Sequence, residues 1–584
     1  MSPENRNLIL AMAVSMAILV LWQSFFVEPQ MQAEQQSQNL SEDLDSDGTP
    51  RLAQENNGGQ LQIEKPERPL EDVPRITISA PLLEGSITSR GARIDDLMLK
   101  NYRISLSEDS GNVKLFEPVS SANPYFSEFG WVSQADGQPM PSGKTIWKVL
   151  SSELTPQTPV QLKWDNGNGL IFLRTISIND DYLIKIEDTI KSTLNKSISL
   201  NPYGLVRRTG TPSTQGMWIL HEGLLGVFDT TLKEWTYSDL QDDNKEGFNH
   251  NSEEPGGWAG ITDKYWLAAI MPEQSEKVNF SMRALSGSED RYQADFLGSA
   301  ITVPPGGEVQ WSGYLFAGAK KVDLLDKYEE ELGVTHFDLA IDFGWFYFMT
   351  KPFFYAITYL NSLLGNFGLA IIAFTIIVRL VLFPLANKSY RSMGKMRELA
   401  PKIQVLRENA GDDRAKMNQE MMALYKKEKV NPAAGCLPIL LQIPVFFALY
   451  KVLYVSIEMR HAPFYGWILD LSAIDPTSIF NLFGLLPYSV DFLPAFLSIG
   501  LWPVLMGITM YLQMQLNPPP PDPIQAKIFQ YMPIFFTFLL ATFPAGLVIY
   551  WTWNNLLSIV QQWWIMRSMG EKKAYTIGGD GGTG

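Results

Sequence analysis

The segment that most constrains this chain is FGLAIIAFTIIVRLVLFPL, Phe367 to Leu385, an apolar run that reads as a membrane-spanning helix. One residue in it, Arg379, does not belong in hydrocarbon. A guanidinium at such depth costs about 2.5–3.5 kcal/mol on insertion scales, so water or a partner must reach it. Its acidic partner is missing from every neighbouring apolar segment. No Asp or Glu lies between Asp342 and Glu398, Glu428 and Glu458, Asp491 and Asp522, or Asp522 and Glu571. An uncompensated cation among apolar helices implies a hydrated cavity. The alternative is that Arg379 snorkels toward cytoplasmic headgroups, helped by a bend at Pro384.

Further spans are expected at 434–456, 492–513, 527–544 and 546–566, following one at 365–386. The loop from Lys388 to Lys429 is rich in Lys and Arg, whereas the Glu458–Asp491 loop holds one basic residue, Arg460. Basic loops stay inside, so the first loop is cytoplasmic and the second is outside. At the start of the chain, Leu8 to Val27 is long enough to span a bilayer and no small-residue cleavage site follows it. It reads as an uncleaved anchor (1–28), with a cleaved signal as the alternative. Six spans result, with both termini cytoplasmic. The last residues, 570–584, read as a flexible tail.

The chain of 584 residues carries a net charge of −15, but unevenly. The stretch from Pro29 to Phe343 is strongly acidic and the remainder is slightly basic. Residues 29–74 are polar and should form a flexible linker. From 75 to 333, short period-two runs such as GLIFLRTISI and YLIKIEDTI, split by Gly, Pro, Asn and Asp, predict an antiparallel β-sandwich. A helix ended by Gly333 closes it. Residues 334–364 mix aromatics with Asp338, Asp342 and Lys351, and predict an amphipathic helix in the membrane interface. The insertion of this acidic domain between the first two spans places it outside the cytoplasm.

Polar side chains within the apolar spans are the candidate site. Thr375 lies one turn from Arg379, Gln442 is in the third span, and the last span carries Trp551, Asn554 or Asn555, Ser558, and Gln561 or Gln562 at helical spacing. Such groups also serve as ordinary interhelical glue. The loop 388–430 reads as a helical hairpin, Ser389–Asn409 followed by a second helix capped by Asp412 or Asp413. Met393, Met396, Met417 and Met421 on its apolar stripes could hold varied apolar segments, or only pack the hairpin. Its basic face suits anionic lipid, ribosomal RNA or plain solvent.

Enzyme signatures for phosphate binding, zinc hydrolysis, dinucleotides and nucleophilic serine are missing, and the single cysteine, Cys436, precludes an intrachain disulfide. The four histidines form no ligand spacing, so neither a metal nor another cofactor is expected.

The blocks FTIIVRLVLFPL, YRSMGKMRELAPKIQVLRENAGDDRAKMNQEMMALYKKEKVNPAAGCLPILLQIPVFFALY and FPAGLVIYWTWNNLLSIVQQW resemble the YidC family of membrane protein insertases, in the form with a large periplasmic domain. The resemblance implies a multi-domain membrane protein of six transmembrane helices, five forming the insertase core (365–569). An all-β periplasmic supersandwich and a cytoplasmic hairpin complete it. It implies insertion and chaperoning of nascent membrane proteins in the bacterial inner membrane, alone or with the Sec translocon. Arg379 matches the family's groove arginine, and Thr375 and Trp551 match its substrate contacts. Trp551 replaces a frequent Tyr. The hairpin is taken to receive incoming chains. The tail lacks a strongly basic extension, which argues against ribosome docking through it. Two other readings compete: a solute transporter, which usually needs intramembrane carboxylates, and a sugar-binding or mutarotase-like activity of the β domain. No small-molecule substrate is expected.

Overall fold

The computed structural model describes residues 73–578, except 108, 134–137, 215–219, 242–246, 286–289, 411–413, 429, 431–436, 487–497 and 518–522. The expected anchor and linker, the hairpin cap at Asp412 or Asp413, and Cys436 lie outside these residues. The chain divides into two compact units, residues 1–340 and 341–584.

In the first unit, alternating apolar residues do what period two demands. The strand Leu170–Ile178 buries every second side chain, and its neighbour Leu183–Ser192 repeats the pattern. Among the described residues the strands form one sheet of 11 and one of 9 strands. Nearly all pairings are antiparallel; Arg75–Ser79 pairs in parallel with Glu153–Leu154. Aromatic rings fill the space between the sheets. Trp311 of the nine-stranded sheet lies 5.8 Å from Trp131 and 6.2 Å from Phe296 of the other. Helix α1 (Val322–Leu332) follows, and Gly333 ends it with φ 68°, a left-handed turn that favours glycine.

The second unit is helical: α2 (Tyr347–Leu364), α3 (Phe367–Val381), α4 (Phe383–Ala410), α5 (Arg414–Lys427), α6 (Leu437–Val455), α7 (Leu501–Gln515), α8 (Pro523–Leu540) and α9 (Ala545–Gly578). Helix α9 is its centre and packs on α3, α4, α6 and α7. Among the described residues no single helix is long and apolar enough to cross a membrane. Phe367–Val381 and Phe383–Leu399 pass that test together, across a bend of 68°.

Four boundaries differ from the sequence reading. The run through Arg379 is broken at Leu382, because Pro384 has no N–H and fits only the first turn of a new helix. The hairpin's first helix therefore begins at Phe383, not at Ser389. Helix α7 starts at Leu501 rather than 492. Its first amides are capped from a distant loop: Thr477 Oγ1 accepts from Leu501 N–H at 2.9 Å, and Asp475 Oδ2 from Trp502 N–H at 2.9 Å. Helix α9 runs on to Gly578, through most of the segment expected to be a flexible tail.

Beside its buried apolar core, the second unit exposes large apolar side chains and buries polar ones. Ile377, Leu380, Val381, Phe535, Val560, Trp563 and Trp564 are exposed, while Thr375, Thr509, Thr552, Asn554, Asn555, Ser558 and Gln562 are buried. Exposure of so many large apolar side chains marks a surface that meets something other than water.

Candidate functional site

Arg379 sits in the last turn of α3, and its side chain crosses to α9. Nε donates to Asn554 Oδ1 at 2.9 Å, and Nη2 donates to the same oxygen at 2.6 Å. Nη2 also donates to the Asn554 carbonyl at 3.3 Å and to Ser558 Oγ at 2.6 Å. The Ser558 hydroxyl in turn donates a hydrogen bond to the Asn554 carbonyl at 2.7 Å. All these acceptors are neutral. Among the described residues no carboxylate pairs with Arg379, so the charge is held but not cancelled.

The remaining expected residues distribute around this contact. Of the two adjacent asparagines, Asn554 meets the arginine, whereas Asn555 turns away and donates to Thr509 Oγ1 of α7 at 3.3 Å. The step of about 100° per residue separates the two faces, and period alone could not choose between them. Asn555, expected at the site together with or instead of Asn554, is therefore not the residue that holds Arg379. Thr375 is buried, with its hydroxyl donating to Ile371 O at 2.7 Å within its own helix. Gln442 of α6 donates to the Tyr550 hydroxyl, a partner that sequence inspection did not single out. Trp551 packs edge-on against Phe446 at 4.6 Å and lies 5.9 Å from Phe536. It joins the apolar cluster of Met506, Met510, Leu540 and Val548. The structure thus gathers Arg379, Asn554 and Ser558 in direct contact, and sets Gln442 and Trp551 on the α6–α9 seam.

The hairpin methionines have mixed fates. Met396 and Met421 pack against the buried trio Leu399, Tyr425 and Val430, joining α4 to α5. Met393 is buried with Ala386, Tyr390 and Ile565, against α9. Met417 is half-buried. The reading of these four as a capture surface is not met at Met393, which lies three residues from Tyr390 and seven from Ala386, shares their helix face and is buried against α9. Met422 is the exposed methionine of α5. A shallow depression between the helices is lined by Lys402, Val405, Leu406, Glu420, Ala423 and Leu424. Lys402 and Glu428 bridge the hairpin at 2.7 Å.

In the first unit, the fold also assembles a group that linear spacing missed. Ligand atoms of Glu329, His336 and Asp338 lie within 4.8 Å of one another, because the turn at Gly333 folds the chain back on α1. Burial, then the neighbouring Asp338, pushes the Glu329 carboxyl above its ordinary value.

A family model described as 60Kd inner membrane protein matches residues 359–573, and one described as YidC periplasmic domain matches 75–356. The membrane protein insertase YidC of Methylobacterium nodulans is 48% identical over 98% of this chain and 96% of its own length. That of Rickettsia bellii is 48% identical over 96% of this chain and 98% of its own. A crystal structure of an active YidC insertase with the first transmembrane domain resolved covers 84% of this chain and 92% of its own, at 18% identity and a TM-score of 0.34. Whole-length likeness at this identity is decisive: the chain belongs to the YidC family of membrane protein insertases, and carries that family's periplasmic domain.

Proposed function

We propose that this protein inserts membrane proteins through a hydrated groove in its helical unit, with Arg379 as the cation that attracts acidic residues of the incoming chain. The observation that carries this reading is the contact of Arg379 with Asn554 and Ser558: the guanidinium is held by neutral acceptors and keeps its charge. No covalent chemistry is needed. The groove shortens the apolar barrier for a polar stretch of substrate. The substrate's apolar flank then moves into lipid, driven by burial worth about 25 cal/mol per Å2. The membrane potential acts on the substrate's charges in the same step.

The chain spans the inner membrane six times in this reading, with both termini cytoplasmic and the β unit periplasmic. The exposed apolar and buried polar residues of the helical unit support a lipid-facing surface, and the basic 388–430 loop supports its cytoplasmic side. Domain limits follow the sequence reading: anchor 1–28, linker 29–74, periplasmic unit 75–333, interfacial segment 334–364 and insertase core 365–569. The hairpin receives the substrate first, Thr375, Gln442 and Trp551 line its path, and the protein also acts as a chaperone alone or with the Sec translocon. Ribosomes and anionic lipids are further partners of the basic loop.

Reconstitution of the full chain in proteoliposomes tests the central claim. Arg379→Ala should impair insertion of a single-span substrate with an acidic translocated tail, and Arg379→Lys should largely retain it. Equal activity of wild type and the alanine variant would refute the electrostatic role.

A further inference from the structure

We infer that Asn554 is a positioning residue for the insertion reaction: a neutral clamp that, with Ser558, fixes Nε and Nη2 of the Arg379 guanidinium and leaves Nη1 for a carboxylate of the translocating segment. The inference rests on the proposed role of Arg379 and goes beyond it. A guanidinium has five N–H donors in a rigid fork. Here Nε and Nη2 are engaged, three of the four contacts being made to Asn554 and one to Ser558. Nη1 makes no hydrogen bond among the described residues. Asn554 is itself buried, 8% exposed, and Ser558 is fully buried, so the clamp is set in the protein and does not depend on solvent.

The chemistry of the clamp matters as much as its place. An aspartate has nearly the shape of asparagine and would accept the same two hydrogen bonds, but it would neutralise the arginine. An amide acceptor orients the cation without competing for its charge. The residue at 554 therefore sets how strongly the groove discriminates acidic from neutral substrate segments. It does this without touching the substrate.

The test uses the full chain in proteoliposomes and two single-span substrates that differ only by Asp→Asn changes in the translocated tail. The readout is the ratio of acidic-tail to neutral-tail insertion. Asn554→Asp should lower that ratio about fivefold, as expected from cancelling one unit charge near a partly hydrated carboxylate. Asn554→Ala, which loosens the clamp and keeps the charge, should lower it by a smaller factor, about twofold. Equal ratios in the two variants would overturn the inference, because a purely structural asparagine has no reason to sort substrates by charge. Should Asn554→Asp not accumulate, Ser558→Asp brings a carboxylate to the same Nη2 and must lower the ratio likewise; an unchanged ratio there overturns the inference equally. Arg379→Ala separates the two levels. If it leaves the wild-type ratio intact, the role of Arg379 itself fails; if it collapses the ratio while the aspartate variants do not, only the clamp fails.

Discussion

Two arginines, one in each unit, show how differently the halves of this molecule treat charge. Arg174 is buried between the two sheets of the first unit, 1% exposed. It forms a two-pronged pair with Asp188, Nε to Oδ1 at 2.8 Å and Nη2 to Oδ2 at 2.7 Å. Nη1 donates to Phe129 O at 2.8 Å, and Trp131 Nε1 donates to Asp188 Oδ2 at 2.7 Å. The pair is also cross-strand in register, on the buried face of both strands. Arg379 meets an amide and a hydroxyl instead. The first arrangement locks two sheets together and has no charge left to use. The second gives up Coulombic pairing and keeps a cation available. A buried charge that is cancelled can only serve architecture; one that is held by neutral dipoles stays free to meet a further partner.

The first unit also contains an intermediate case. Arg207 is held by Gln293 Oε1, a neutral acceptor, at 2.8 Å from Nε. Burial, then the nearby Arg93, lowers its pKa to about 10. The neutral acceptor thus offsets burial and the neighbouring Arg93 only in part.

Three variants bear on the contrast. The largest effect is expected from Asp188→Ala, which strands a fully buried guanidinium and should destabilise the first unit by about 3–5 kcal/mol in urea unfolding followed by tryptophan fluorescence. A loss below about 1 kcal/mol would mean that the pair is not the lock described here. Arg379→Met should lower the stability of the detergent-solubilised protein by only about 1 kcal/mol, because Ser558 still donates to the Asn554 carbonyl once the cation is gone. A loss as large as that of Asp188→Ala would make Arg379 architectural after all. The smallest effect is expected at Glu329. Its raised folded pKa means that its contribution to stability is fully present below the unfolded value of 4.5 and is lost as pH rises through the folded value. Glu329→Gln should therefore raise the melting temperature slightly at pH 7.5 and leave it unchanged at pH 4. The opposite ordering would show that the contact with His336, whose Nδ1 lies 3.8 Å from the carboxylate, outweighs burial.

Much of this organisation was legible in the residues. Period-two runs announced the sheets, apolar runs announced the helices, and an arginine far from any carboxylate announced the site. What the residues left open follows one pattern. The choice between Asn554 and Asn555 depends on which helix packs on which face, and the start of α7 depends on caps from Asp475 and Thr477, more than twenty positions upstream. Met393 looked like its neighbours and was diverted to α9 by Ala386 and Tyr390. The break at Leu382 was available in principle, since Pro384 stood in view as a possible bend.

The chain alone determined its division into an acidic β part and an apolar helical part, because hydrophobic period and charge are local properties of consecutive residues. It also determined that the apolar segments around Arg379 contain no Asp or Glu, because composition settles what is absent from a segment. Only the tertiary structure decided what takes the acid's place. Hydrogen bonds are directional and short, so whether a guanidinium meets Asn554, Asn555 or neither depends on how α3 and α9 are turned against each other, and no single helix carries that information.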